Sequence, residues 1–114
     1  MQFLLAEFKN IVDAFEAGGL EYAVCGGVAL TIQGFPRATM DIDLLIREQQ
    51  LEKALEIAAQ NGFNIRGLDI SFKDPAVEIR RVSKIIEDAI LCLDLLLVID
   101  EIADVLGVAG KSAI

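Results

Sequence analysis

Histidine is absent from this chain. Its absence excludes Ser-His-Asp and Cys-His nucleophilic catalysis, and any metal site built on imidazole. Cysteine is scarce: Cys25 and Cys92 are the only two in 114 residues. With no recognisable targeting segment, so few thiols indicate a reducing, cytoplasmic setting, and both are expected to be buried. Glu7, Lys9 and Asp13 interrupt the apolar N-terminus, which therefore does not read as a signal peptide. Basic residues are also few, 10 Lys and Arg against 18 Asp and Glu, for a net charge of −8. This balance argues against a broad surface for a phosphate backbone. A bound divalent cation reverses the sign of a local field, so nucleotide binding is still open to an acidic chain. No apolar run reaches the roughly 18 residues that suggest a membrane span. The densest run, residues 89–99, is broken by Asp94 and reads as a buried strand.

There is likewise no linker, low-complexity tract or internal repeat, and the length predicts one domain over residues 1–114. Hydrophobic residues make up 54% of the chain, ample for a core. Phe3, Leu4, Phe8, Ile11, Val12 and Phe15 recur at helical spacing, which predicts a packing helix over residues 2–17 that Gly18-Gly19 stops. Residues 20–25 read as a strand. Gly26-Gly27 breaks it, and residues 28–33 read as a short helix that ends at Gly34-Phe35-Pro36. Residues 41–47 alternate as a second strand, with Asp41, Asp43 and Leu45 on one face and Ile42, Leu44 and Ile46 on the other. A second helix is predicted over residues 48–60 from Leu51, Leu55 and Ala58/Ala59, with Asn61-Gly62 at its end. Residues 68–72 read as a strand and Asp74-Pro75 as a turn. Residues 77–86 and 89–99 read as an antiparallel hairpin about Glu87-Asp88, and residues 100–106 as the start of a helix with Asp100 as N-cap. The expected class is α+β: a mixed β-sheet flanked by helices.

One stretch carries chemistry. A Gly-Gly turn before a helix frees backbone N–H groups for an anion, and glycine lets phosphate oxygens approach closely. Asp41 and Asp43, two residues apart on a strand, share a face. Asp94 is costly in its apolar strand unless it binds a metal, pairs with an arginine such as Arg80 or Arg81, or lies on a solvent-facing side. Three carboxylates on neighbouring strands suit two magnesium ions (manganese is the alternative) roughly 3.5–4 Å apart, shared with a nucleotide's phosphates. Arg37 is the candidate phosphate clamp, with a solvated loop arginine as the alternative. Thr39 is expected to orient the loop.

The order of these pieces is more specific than any of them alone: Gly26-Gly27, thirteen residues, Asp41-x-Asp43, then Asp94 about fifty residues on. In this the chain resembles the nucleotidyltransferase superfamily that includes DNA polymerase beta. Within it, the resemblance is to small prokaryotic members of the AbiEii-toxin and minimal-nucleotidyltransferase kind. Arg37-Ala-Thr-Met-Asp-Ile-Asp43 looks like the Arg-x-Thr-x-Asp-Ile-Asp of the AbiEii type, and the strand around Asp94 like its third-acid strand. The second glycine stands where many members carry serine. The resemblance covers roughly residues 20–99 and implies a nucleotidyltransferase-like fold. It implies transfer of a nucleoside monophosphate from an NTP to a hydroxyl on a protein, an RNA 3′ end or a small molecule, using magnesium. Asp41, Asp43 and Asp94 would be the metal-binding and catalytic acids, and Gly26, Gly27 and Arg37 the phosphate contacts. Many such proteins act in toxin–antitoxin pairs, so an antitoxin is an expected partner and a homodimer a further one. Relatives of this kind continue into a C-terminal acceptor-binding region that has no obvious counterpart here. The competing reading is a non-catalytic module of the same fold that binds a nucleotide or a partner.

Overall fold

The computed structural model describes residues 2–32, 38–67, 69–73, 76–98 and 111–112. Helix α1 (Gln2–Ala17) leads into strand β1 (Tyr22–Ile32) and strand β2 (Ala38–Arg47). A single 3₁₀ turn (Glu48–Gln50) runs into helix α2 (Leu51–Gln60). Then come β3 (Ile65–Arg66), β4 (Ile70–Lys73), β5 (Ala76–Ile86), β6 (Ala89–Val98) and β7 (Lys111–Ser112).

Both helices end in the same way. Gly19, with φ +74°, follows α1; Gly62, with φ +94°, follows α2. At the first, Gly19 N–H donates to Glu16 O and Leu20 N–H to Phe15 O, each at 3.0 Å. At the second, Gly62 N–H donates to Ala59 O at 3.0 Å and Phe63 N–H to Ala58 O at 2.9 Å. This paired bonding needs a left-handed residue, which glycine adopts without strain. It turns Leu20 and Phe63 back into the core, where both are buried.

The strands form one mixed sheet in the order β3-β5-β6-β2-β1-β7, with β4 also paired to β5. The β2–β6 and β1–β7 pairs are parallel, and the others are antiparallel. The two described helices pack on one face of this sheet. Ile11 and Phe15 of α1 and Ala54 and Ala58 of α2 join Ile42, Leu44, Ile46, Leu91, Leu93 and Leu95 in one fully buried cluster. The other residues of those same strands, Asp41, Asp43, Cys92 and Asp94, alternate onto the opposite face. Phe15 also meets Tyr22 edge to face, with ring centroids 6.3 Å apart. Lys84, on the helix side of β5, ties the layers together. Its Nζ donates to Glu7 at 2.7 Å and to Asn61 O at 2.8 Å, and it lies 5.6 Å from the Phe63 ring centroid.

The structure corrects the sequence reading at one place that matters. Residues 28–32 do not form a helix; they continue β1 and pair with β2 from Val28↔Ile42 to Ile32↔Ala38. A helix of six residues is poorly nucleated. Val28, Thr31 and Ile32 are β-branched and favour the ladder that β2 offers. The predicted strand over residues 68–72 is seen as β4, together with the shorter β3 before it. The hairpin about Glu87-Asp88 forms, with Glu87 at φ 52° in place of the usual glycine or asparagine. Asp74-Pro75 and the helix expected over residues 100–106 lie outside the described residues.

Candidate functional site

β2 and β6 run parallel in a register that sets Asp43 beside Asp94 and Asp41 beside Cys92. β6 and β5 run antiparallel in a register that sets Asp94 beside Arg81. On the far side of β2, the ladder to β1 shifts between Val24↔Leu44 and Val28↔Ile42. Three residues of β1, Cys25, Gly26 and Gly27, therefore stand against the one residue Asp43. Such a bulge interrupts the ladder and bends the strand, and glycine tolerates the distortion. A single row thus crosses four strands: the Gly26-Gly27 bulge, Asp43, Asp94 and Arg81. All of it lies where adjacent strands are about 4.8 Å apart.

Arg81 grips Asp94 through two parallel bonds, Nε to Oδ1 at 2.7 Å and Nη2 to Oδ2 at 2.9 Å. The Asp94 side chain is 13% exposed and that of Arg81 is 45% exposed. Of the alternatives open to Asp94, an arginine pair is the one seen, and the partner is Arg81. Arg80 points to the opposite face and pairs with Glu78 at 2.6 Å and Asp69 at 3.5 Å. Gly67, whose N–H donates to Arg81 O at 2.9 Å, leaves room for the Arg81 stem, since a Cβ there would stand 3.2 Å from Arg81 Cβ.

The electrostatics of the row are those of crowded acids. Burial first, then the charges of Asp94 and Asp41, then a hydrogen bond with Asp94, raise the Asp43 carboxyl above the usual range, while Arg81 opposes the rise. Arg81 itself is held more firmly protonated, chiefly by its bonds to Asp94, with smaller contributions from Cys92 and Asp41. Cys92 is buried, as expected of it, and lies 3.6 Å from the Ser83 hydroxyl.

Of the predicted site residues, Asp43 and Asp94 are brought side by side, Asp41 joins them on the same face, and Gly26 and Gly27 lie opposite Asp43. The helix expected behind the glycines is not there, because the chain runs on as strand through Ile32. Arg37 lies outside the described residues. Arg81 is the member that sequence reasoning left as one of two arginines. Its signal was available, since a hairpin with a two-residue turn at 87–88 sets residue 94 opposite residue 81, not 80.

Carboxylates with no imidazole among them form a donor set suited to a hard divalent cation such as magnesium. The mutual repulsion at Asp43 is of the kind that such a cation relieves. Among the described residues, no three His, Cys, Asp or Glu side chains are gathered closely enough to hold a metal ion as they stand. A cleft of about 690 Å³ lies on the helix side, lined by Glu7, Asn10, Asp13 and Lys84 among others, and none of the three acids borders it. None of the described helices is long and apolar enough to cross a membrane. No protein-family model, no curated protein and no solved structure matches the chain.

Proposed function

We propose that this chain is the core of a metal-dependent nucleotidyltransferase, which moves a nucleoside monophosphate from an NTP to a hydroxyl acceptor. The observation that carries the reading is the β2–β6 register. It sets Asp43 beside Asp94, 51 residues on in the chain, with Asp41 on the same face, so the three acids of the sequence pattern share one face of two adjacent strands. Magnesium, when bound with the nucleotide, neutralises phosphate charge and lowers the pKa of the acceptor hydroxyl. Asp41 and Asp43 would hold the cation that comes with the triphosphate. Backbone N–H groups at Gly26-Gly27 face phosphate oxygens, and Arg37 clamps one of them. Asp94 takes the proton of the acceptor hydroxyl as its oxygen attacks the α-phosphorus and pyrophosphate leaves. Arg81 positions the Asp94 carboxylate through its two bonds. The acceptor is a hydroxyl of a protein, an RNA 3′ end or a small molecule, and a place in a toxin–antitoxin pair belongs to the same reading.

The test is thermal unfolding with Mg²⁺ and each of the four NTPs, run beside Asp43→Asn. A ligand at about 100 times its dissociation constant stabilises by roughly 2.7 kcal/mol. A metal-dependent shift that Asp43→Asn abolishes supports the site. No shift with any NTP, or a shift that survives the substitution, removes it.

A second reading has its own support. Arg81 occupies both oxygens of Asp94, and the strand that replaces the short helix removes a helix N-terminus from the phosphate side. Both observations favour a non-catalytic module that binds a nucleotide or a partner. An NTP-dependent thermal shift without release of pyrophosphate, whatever the acceptor offered, selects this reading.

A further inference from the structure

β4 is an open edge. Among the described residues it pairs with β5 alone, and all four of its residues are exposed. Ile70 is 46% exposed and Phe72 is 53% exposed. Ile70 opposes Ile79 and Phe72 opposes Val77, so both lie on the sheet face away from the helices, as do the exposed Ile65 and Ile85. An apolar strand edge with unpaired backbone groups is a template for another strand.

The sequence of the edge names the strand that fits. Asp69-Ile70-Ser71-Phe72-Lys73 is complementary to its own reverse. Two copies run antiparallel about Ser71 would set Ile70 against Phe72, Ser71 against Ser71 and Asp69 against Lys73, twice over. An isologous two-fold contact requires this kind of self-complementarity. The alternatives are worse. Parallel pairing sets Asp69 against Asp69 and Lys73 against Lys73. An antiparallel register shifted by one residue sets Asp69 against Asp74 and turns the apolar face of one copy onto the polar face of the other. A shift by two leaves Lys73 opposite Ser71 or Gly67. Lys73 makes no ion pair among the described residues. Asp69, already 3.3 Å from Arg66 and 3.5 Å from Arg80, is about half exposed and has lone pairs to spare.

We propose that β4 is a self-association edge, through which two copies of this chain join their sheets antiparallel about Ser71. Four residues a side make a small interface, so the dimer is reversible and concentration-dependent. It leaves the acid row accessible, because that row lies inward of β5.

The test is sedimentation of the whole chain from micromolar to millimolar concentration, with thermal unfolding of every variant to confirm folding. The parent chain is expected to dimerise. Lys73→Asp and Asp69→Lys each set like charges opposite one another at both ends, and each is expected to weaken the dimer roughly tenfold. An equal mixture of the two folded single variants is expected to recover parent-like association, because each then supplies the charge that the other lacks. Ser71→Cys, on the two-fold axis, brings identical residues within the reach of a disulfide and is expected to cross-link on oxidation where the parent chain does not. A parent chain that stays monomeric throughout, or a dimer that neither charge variant weakens, overturns the proposal. So does a mixture that associates no better than its components.

Discussion

The two faces of the central strands are made of alternate residues of the same segments, and they do different work. Leu93 and Leu95 are fully buried against the helices, while Asp94 between them faces the other way and is held by Arg81. β5 repeats the contrast with two cations. Lys84 on the helix side reaches across 77 residues of sequence to Glu7 and closes α1 onto the sheet. Arg81 on the side away from these helices reaches only to its neighbour across the hairpin. The first pair fastens one layer to another. The second holds a carboxylate in place within one sheet, at the centre of a row of acids. A strand packed against helices on one face can thus carry a costly carboxylate on the other without disturbing that packing, where a cation on the adjacent strand meets it, as Arg81 meets Asp94.

The contrast breaks most readily at Leu93. Leu93→Ala leaves a cavity in the fully buried cluster and is expected to cost about 2–5 kcal/mol in urea unfolding. Cys92→Ala, one residue along on the other face, is expected to cost less than half of that. Equal losses would mean that the faces do not differ in how they hold the fold.

The two cations sharpen it. Arg81→Gln leaves the Asp94 carboxylate mostly buried and without its partner; because Arg81 is itself well exposed, the expected loss is about 1–2 kcal/mol. Lys84→Gln is expected to lose a similar amount by releasing Glu7 and the Asn61 carbonyl. If the acid row binds cations, saturating Mg²⁺ recovers part of the loss in Arg81→Gln and none of it in Lys84→Gln. Equal responses to Mg²⁺ would assign no special property to the acid row.

The smallest effect is in the pH dependence. The Asp43 carboxyl is raised from its ordinary 3.8 in the folded state, so folding takes up a proton there. Its contribution to stability is fully present below that ordinary value and is lost as pH rises through the raised one. Asp43→Asn is therefore expected to be more stable than the parent chain at neutral pH, with the difference closing as pH falls towards 4. A difference that widens on acidification would contradict the crowding of Asp43 by Asp94 and Asp41.

Much of the frame was legible. The period of Phe8, Ile11, Val12 and Phe15, and the glycines after each helix, marked α1 and α2, because helical repeats and left-handed caps are local properties. The alternation through Asp41–Ile46 sorted these residues onto two faces before any partner was known. The glycine pair is ambiguous for a physical reason. Gly26-Gly27 ends a strand or bulges within one equally well, and the choice depends on whether residues 38–42 are there to pair with residues 28–32. A short segment rich in β-branched residues takes the strand when they are.

The sequence by itself therefore determined α1 and α2, the alternation of the strands and the shared face of Asp41 and Asp43, since all of these arise from periodicity within single segments. Which acid stands beside which was decided only by the tertiary structure. The register of β2 against β6 joins strands separated by α2 and three further strands, and no local pattern encodes it. The burial of Ile42, Leu44, Leu93 and Leu95 against the same helices sets that register, and it carries Asp43 to Asp94 on the opposite face. With Arg81 the division is finer: the turn at Glu87-Asp88 determined its position across the hairpin, while its role came from the charge that β6 turns towards it.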